Sequence, residues 1–474
     1  MATWYTTHVD AASTAAGAAL TEEAVLEFWE LLRTGNPPAE RLNTLAGAVA
    51  AAPWNTHVPP VLAAHGFDGA AFLPAGLPTP SCRALLDALA LKGMGANPMP
   101  FPRPTFRRCE VRARQRVQTG RGVVTMDHVL VTDNGKGYGL VRNLQTCIYG
   151  KVRHGVELEA TPSQQRGLFG ALAGGDAPPW RATETQVAVK CIERGKYEQH
   201  VARHRGRLNE DPIKEVAVME FMARQGGAPY CLPLLGCYAD ESAVYVILPL
   251  CPNGDLFGVV ERDGGLQEAR AATYMGQIVA GLERLHAMGL AHHDMSLENL
   301  LVDEQRRAVI IDFGMAVRAA PTFSNFLPET AASHERPAAA GPSYHAVPLM
   351  PSRGWPCRCG KLLYMAPELF EPQKPFDVFA ADVWALGIIL FLLLTGMPPW
   401  DAATGPTPRD MRYVYVRDGR LRELLSTWQI SLSEHAPDLL QKLLTADPAA
   451  RLTLPELKAH PWWVANARHV SVPV

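Results

Sequence analysis

The sequence predicts an α+β chain in which a β-rich stretch is followed by a mainly helical one. Three observations carry this. Strand-like text begins after Thr105, as in "VVTMDHVLVTDNGKGYGLV", with Asp133, Asn134 and Gly135 supplying turn chemistry. From Asp211 onward helical patterns dominate, and Asp211-Pro212 reads as an N-cap followed by the first helical residue. The 474 residues are 47% apolar, enough for a sizeable core.

Taken in order, residues 1–104 are Ala-rich and punctuated by Pro. "TEEAVLEFWELLR" has Thr21 as a candidate N-cap, and "SCRALLDALALKG" has Ser81 as a cap and Gly93 as a stop. The expectation is a short, mainly helical region with no visible chemistry, ending in the linker "NPMPFPRP". The N-terminus lacks a basic n-region and a strong apolar run, so neither a signal nor a transit peptide is expected. Residues 105–137 read as a β-rich lead-in, and strand-like text continues to about Leu158. A Gly/Pro/Ala segment near 160–184 reads as a loop insertion, and "QVAVKCI" as the next strand. A second low-complexity excursion covers about 319–355, and 465–474 is a short tail.

Composition narrows the function classes. Net charge is -2, from 45 basic and 47 acidic residues, which argues against nucleic-acid or membrane-surface binding driven by bulk charge. Nine thinly spread cysteines fit a reducing compartment, so an intracellular location is expected, cytoplasmic with the nucleus open. The apolar run "ALGIILFLLL" is too short to span a bilayer and follows Asp382, so it reads as a buried core helix, with no membrane span.

One ordered set of residues points to phosphoryl transfer. "VAVK" ends at Lys190, and a strand Lys reaches nucleotide phosphates when a carboxylate holds it; Glu215 in the opening turns of the next helix is the candidate. Asp294 in "AHHDMSLENLLV" is placed to orient an acceptor hydroxyl and take its proton late. Asn299 and, 18 residues after Asp294, Asp312 in "IIDFGMA" are oxygen donors suited to magnesium. Alone, each of these is an ordinary polar residue; the order makes the set specific.

From about Tyr138 to Trp463 the chain resembles a eukaryotic protein kinase of Ser/Thr type, a likeness carried by "VAVK", "HHDMSLEN", "DFG", "YMAPE" and "DVWALG" in sequence. The resemblance implies a bilobal protein-kinase-like fold, with a small β-rich N-lobe over 138–250 and a helical C-lobe over 251–464. It implies ATP and Mg2+ bound between the lobes and transfer of the γ-phosphate to hydroxyls of a protein substrate. "TGMPPW" and "HPWW" look more like Ser/Thr than tyrosine kinases. The A-P-E carboxylate, Glu368, is expected to pair with Arg451, and Asp382 to begin the central buried helix. "LQTCIYGKV" resembles the phosphate loop but keeps one glycine, Gly150, with Gln145 and Cys147 where glycines are expected. Leu144, Val152, Ala188 and Leu301 would sandwich the adenine, or be ordinary core. At the hinge Leu248 would be the gatekeeper, with the Pro249 carbonyl and Cys251 N–H facing the base. Asp255 is placed for the ribose or a basic substrate residue, or is a helix-start Asp.

Two departures bear on activity. His293 replaces an Arg that in the family anchors a phosphate, and neutral His is a poor phosphate anchor near pH 7. Ser296 replaces the catalytic-loop Lys, while Lys361 stands where a Thr is usual before A-P-E. In the family these two positions lie together beside the catalytic Asp, so Lys361 is the candidate catalytic cation arriving from the opposite side, or else a surface Lys. Cys357 and Cys359 lack a partner pair at metal-ligand spacing, so zinc is not expected. Thr322, Ser324, Thr330, Ser333 and Ser343 are phosphorylatable or simply loop residues.

An active Ser/Thr kinase and a pseudokinase scaffold are the competing readings; Gln145, Cys147, His293 and Ser296 favour the second, and Lys190, Glu215, Asp294, Asn299 and Asp312 the first. A small-molecule kinase fits less well with a complete A-P-E segment. Oligomeric state is not legible. The His293 substitution yields one expectation: phosphatase treatment of the purified protein leaves phosphotransfer intact, and loss of activity would contradict it.

Overall fold

The computed structural model describes residues 101, 104–161, 178–203, 210–318, 360–370 and 376–466. The expected helices near Thr21 and Ser81, the excursion over 319–355 and the Cys357/Cys359 pair lie outside them.

Period-two alternation builds the first lobe. Seven strands, β1 (Arg107–Thr119), β2 (Gly122–Thr132), β3 (Lys136–Cys147), β4 (Gly150–Ala160), β5 (Trp180–Glu193), β6 (Gly236–Ala239) and β7 (Ala243–Pro249), form a closed barrel in the order β1-β2-β3-β4-β5-β7-β6. Closure comes from β1, which pairs in parallel with β5 at Val117↔Trp180 and with β6 at Arg107↔Tyr238. Along β5, Val187, Val189 and Cys191 point into the barrel against Leu130, Tyr138 and Ile247. Ala188 and Ile192, on the opposite face, join the cluster shared with the helical lobe. A second cluster of Val117, Val129, Leu158 and Trp180 plugs the barrel's other end.

Three sequence boundaries shift. The lead-in over 105–137 is not separate: β1 and β2 are two of the seven barrel strands. The insertion expected over 160–184 is shorter, because β4 reaches Ala160 and pairs there with Trp180. The Pro178-Pro179 pair hides this strand start, yet Trp180 is buried at 1% exposure and anchors it. The turn expected at Asp133, Asn134 and Gly135 is confined to those residues; Gly137 and Gly139 already lie in β3.

The chain then forms α1 (Arg194–Arg203) and α2 (Pro212–Arg224). The Asp211 carboxylate caps α2 by accepting the Ile213 N–H at 2.9 Å, with Pro212 in the first turn, as the sequence predicts. The helical lobe follows with α3 (Leu256–Asp263), α4 (Glu268–Ala287), α5 (Val378–Thr395), α6 (Met411–Arg417), α7 (Leu421–Thr427), α8 (Ala436–Leu443), α9 (Leu454–Ala459) and α10 (Pro461–Asn466). Short two-stranded ribbons, β8 (Leu290–Ala291) with β11 (Val317–Arg318) and β9 (Leu300–Val302) with β10 (Ala308–Ile310), hold the loops facing the barrel. Helix α5 is long and apolar enough to cross a membrane, but 89% of it is buried inside the fold, so it is the core helix expected.

Arg451 pins the segment that precedes α5. Its guanidinium, with no exposed side-chain surface, donates to both carboxylate oxygens of Glu368 at 2.7 and 2.9 Å and to the Ala380 carbonyl at 2.7 Å. This is the pairing implied by the resemblance, in the bidentate geometry that makes such contacts strong.

Because β2 contributes Leu130, which is fully buried, the barrel depends on the lead-in. Leu130→Ala should destabilise the protein by about 3 kcal/mol in urea melts; a loss below about 1 kcal/mol would mean that β1 and β2 are peripheral.

Candidate active site

The barrel's outer face meets α2 through one ion pair. Lys190 on β5 donates to Glu215 in the first turn of α2 at 2.5 Å, with side chains 15% and 8% exposed. Burial works against the Lys190 charge, but Glu215 and then Asp312 outweigh it and hold the ammonium above its ordinary value. The lysine is thereby fixed as a cation at the floor of the cleft.

The catalytic loop is held from beneath by Asp382 on α5. Its two oxygens accept the His292 N–H at 2.8 Å, the His293 N–H at 2.9 Å and the His286 Nε2 at 3.0 Å. Burial opposes this carboxylate, yet the His286 hydrogen bond and neighbouring donors keep its pKa low. The anchored loop turns through a left-handed His293, φ 65°, and presents Asp294. Asn299 donates its amide nitrogen to the Asp294 carbonyl and to Oδ2, both at 2.8 Å. With the backbone carbonyl accepting the Ile311 N–H at 3.0 Å, the side-chain Oδ1 of Asn299 is the atom that could face a cation.

Asp312, also at positive φ (63°), accepts the Gly314 N–H at 3.2 Å, while Phe313 packs into the core beside His292. Negative charge is concentrated here. Burial first, with Asp312 contributing, pushes Asp294 above the ordinary aspartate range. Sequence reading missed Glu210, which lies against Gly314 and whose carboxyl is pushed up to about 7 by burial and then by Asp312. Such crowded carboxylates fit a divalent cation. The donors are hard oxygens, Asp312 and Asn299, of the kind that suits magnesium.

Above the cleft, β3 and β4 form the hairpin whose sequence resembles the phosphate loop, with Cys147 paired to Gly150 across a two-residue turn. A Cβ at Gly150 would lie 2.0 Å from the Cys191 carbonyl oxygen, so strand approach explains this glycine. At the tip Tyr149 is buried and donates its hydroxyl to the Glu210 carbonyl at 2.9 Å, a tether the sequence did not signal. Val152, Ala188 and Leu301 are partly buried and Leu144 is 38% exposed. Leu248 is buried in β7, Pro249 ends that strand, and Cys251 follows half-buried. Asp255 caps α3 by accepting the Gly258 N–H at 2.8 Å, so the helix-start alternative describes one of its oxygens.

Lys361 and Ser296 meet. The Lys361 ammonium donates to the Ser296 hydroxyl at 2.8 Å and lies 3.3 Å from Glu298. Ser296 is fully buried, whereas the Lys361 side chain is 40% exposed. Gly360, at φ 87°, lets the segment approach: a Cβ there would lie 2.9 Å from Asp294 Oδ1. Lys361 also lowers the Asp294 carboxyl, partly offsetting its burial. Glu298, unremarked in the sequence, accepts the Tyr364 hydroxyl at 3.3 Å and completes the network.

His293 is buried, stacks on Phe376 at 5.8 Å, and neither ring nitrogen has a hydrogen-bond partner among the described residues. Burial pushes its pKa from 6.5 down to about 4. The imidazole is therefore neutral at pH 7 and no phosphate anchor. Because the folded value is depressed, the unfolded chain takes up this proton first on acidification. Stability is full above the unfolded value and falls as pH drops toward the folded one, by about 2 kcal/mol at pH 5. His293→Asn, which tolerates positive φ, should flatten that acid loss in denaturant melts at pH 5 and 8; an unchanged difference would remove His293 from the acid response.

Comparison with known proteins gives the same assignment. The family model described as protein kinase domain matches residues 179–463, more than half of the chain. The serine/threonine-protein kinase grp of Drosophila melanogaster is 30% identical over 282 residues, covering 60% of this chain and 46% of that protein. The serine/threonine-protein kinase CHK1 of Saccharomyces cerevisiae is 30% identical over 263 residues, covering 55% and 44%. The CBL-interacting serine/threonine-protein kinase 16 of Arabidopsis thaliana is 26% identical over 329 residues, covering 69% and 57%. The chain thus spans about half the length of the curated relatives it matches. With Lys190–Glu215, Asp294–Asn299 and Asp312 assembled around one cleft and the family model matched over more than half of the chain, the chain belongs to the protein kinase domain family.

Proposed function

We propose that this protein is an active Ser/Thr protein kinase, transferring the γ-phosphate of ATP to hydroxyls of protein substrates. The observation that carries this is the contact of Lys361 with Ser296, which returns an ammonium to the place where the catalytic loop lost one.

In this reading Leu144, Val152, Ala188 and Leu301 enclose the adenine, and the Pro249 carbonyl and Cys251 N–H face its edge. Gly150 brings backbone toward the phosphates, and the remaining oxygen of Asp255 reaches the ribose. Lys190, held by Glu215, orients the α and β phosphates. Asp312 and Asn299 would hold magnesium, which would neutralise phosphate charge. Asp294 aligns the acceptor hydroxyl. As the bond from the γ-phosphorus to the β–γ bridging oxygen breaks, a bond to the hydroxyl oxygen forms and its proton passes to Asp294. Lys361 leaves Ser296 to meet the γ-phosphoryl oxygens, where charge is transferred. The scaffold alternative rests on Gln145 and Cys147, which alter nucleotide grip but remove neither the acid nor the metal donors. An intracellular setting belongs to the same proposal and rests on the free thiols, such as Cys231 and Cys237.

Asp294→Asn should abolish transfer of label from γ-labelled ATP. Lys361→Met should lower kcat by about 100-fold or more while leaving ATP affinity within a few-fold, and Lys361→Arg should restore part of it. Because Lys361 lowers the Asp294 carboxyl, its loss should move the acid limb of residual kcat to higher pH. Unchanged turnover and an unmoved limb in Lys361→Met would make Lys361 a surface residue, and nucleotide binding without transfer in the unaltered protein would establish the scaffold.

A further inference from the structure

The strands that build the nucleotide cleft also build a second cavity on their opposite face. Side chains alternate along β4 and β5. Val152 and Lys190 face the cleft, so Lys151, Arg153 and Cys191 face the other way, into the mouth of the barrel. A cavity of about 390 Å³ opens there, lined by these three residues and floored by Val111, Leu140 and Tyr245. Its size suits a small organic molecule.

The cavity's lining is more basic than acidic, with Lys151, Arg153 and Lys196 against Glu193. Lys151 and Arg153 form no ion pair among the described residues, and the Arg153 Nε is buried without a hydrogen-bond partner. Among the described residues the Arg153 guanidinium has one hydrogen bond, a long 3.5 Å one to the Leu140 carbonyl. At the rim His128 and Lys196 add donors. The acidic group of the lining, Glu193, is held by Lys196 at 2.8 Å. Nearby Asp240 is turned into its own loop, accepting from Ser242 N and Oγ, Ala243 N and the Tyr245 hydroxyl. Cys191 is kept neutral, its thiol pushed up to about 11 by burial, so it does not repel an anion.

We propose that this barrel mouth is a binding site for a small phosphate monoester with an apolar body, the phosphate on Arg153 and Lys151 and the body on Leu140 and Tyr245. Arg supplies a planar fork of donors matched to phosphate, and the aromatic and aliphatic floor has no use in phosphoryl transfer. Since β4 carries both Arg153 and the phosphate-loop Gly150, an occupant would bear on the loop from behind. The site is independent of whether the cleft is catalytic.

Phenyl phosphate titrated calorimetrically into the full chain tests this, with phenol and inorganic phosphate as fragments. Phenyl phosphate is expected to bind at least tenfold more tightly than either fragment. Arg153→Gln and, separately, the exposed Lys151→Gln should each weaken it at least tenfold, while Lys190→Met, altered in the cleft, should leave it unchanged. No binding, equal binding in both barrel variants, or loss in Lys190→Met alone would overturn the proposal.

Discussion

The buried carboxylate of Asp382 is the constraint on which the site's geometry rests. A charge in the core is costly unless every lone pair is engaged, and here two backbone N–H groups and one imidazole engage it. Those two N–H groups belong to consecutive residues, His292 and His293, so the bonds fix the path of the loop. The left-handed turn at His293 follows, and it aims Asp294 upward. Phe376 stacking on His293 closes the space an uncharged ring needs. Asp294 is thus positioned by a buried carboxylate on another element.

A second constraint is the two-sidedness of β5. One strand supplies Lys190 and Ala188 to the cleft and Val187, Val189 and Cys191 to the barrel interior. A slip of one residue would exchange these faces and bury the ammonium among Leu130, Tyr138 and Ile247. The register is secured on both sides, by β4 through Val152↔Lys190 and by β7 through Lys190↔Val246. Closure by β1 leaves the barrel without a free edge, unlike an open sheet.

What the sequence revealed and what it hid divide along the range of the interactions. Asp211 capping α2, the turn at Gly135 and the buried character of α5 are local signals, and each was legible. Glu368–Arg451 and Lys190–Glu215 join distant residues, yet motif order alone paired them. The barrel was not legible, because β1 meets β5 and β6 in parallel across long separations, and no local pattern encodes such pairing. Trp180 was lost to the loop because Pro178-Pro179 dominates its neighbourhood, although its burial decides the strand. Glu210 and Tyr149 gave no signal: a glutamate ahead of a helix cap and a tyrosine in a hairpin are ordinary until folding brings both to the cleft.

In the proposed mechanism the Lys361–Ser296 contact lets a loop that looks damaged by its letters keep its charge. Electrostatic stabilisation depends on where a cation lies, not on which strand of chain delivers it. Delivery from the other side does change what controls it. A catalytic-loop cation would be fixed by Asp382; Lys361 instead depends on the segment running to Glu368, which Arg451 clamps. Tyr364 ties the same segment to Glu298 and accepts the Leu297 N–H at 3.3 Å. The cation's position is therefore coupled to that clamp and to Tyr364, while the His293 ring, neutral and without a hydrogen-bond partner among the described residues, offers no grip on a phosphate. The segment's position thus rests on contacts the chain itself makes.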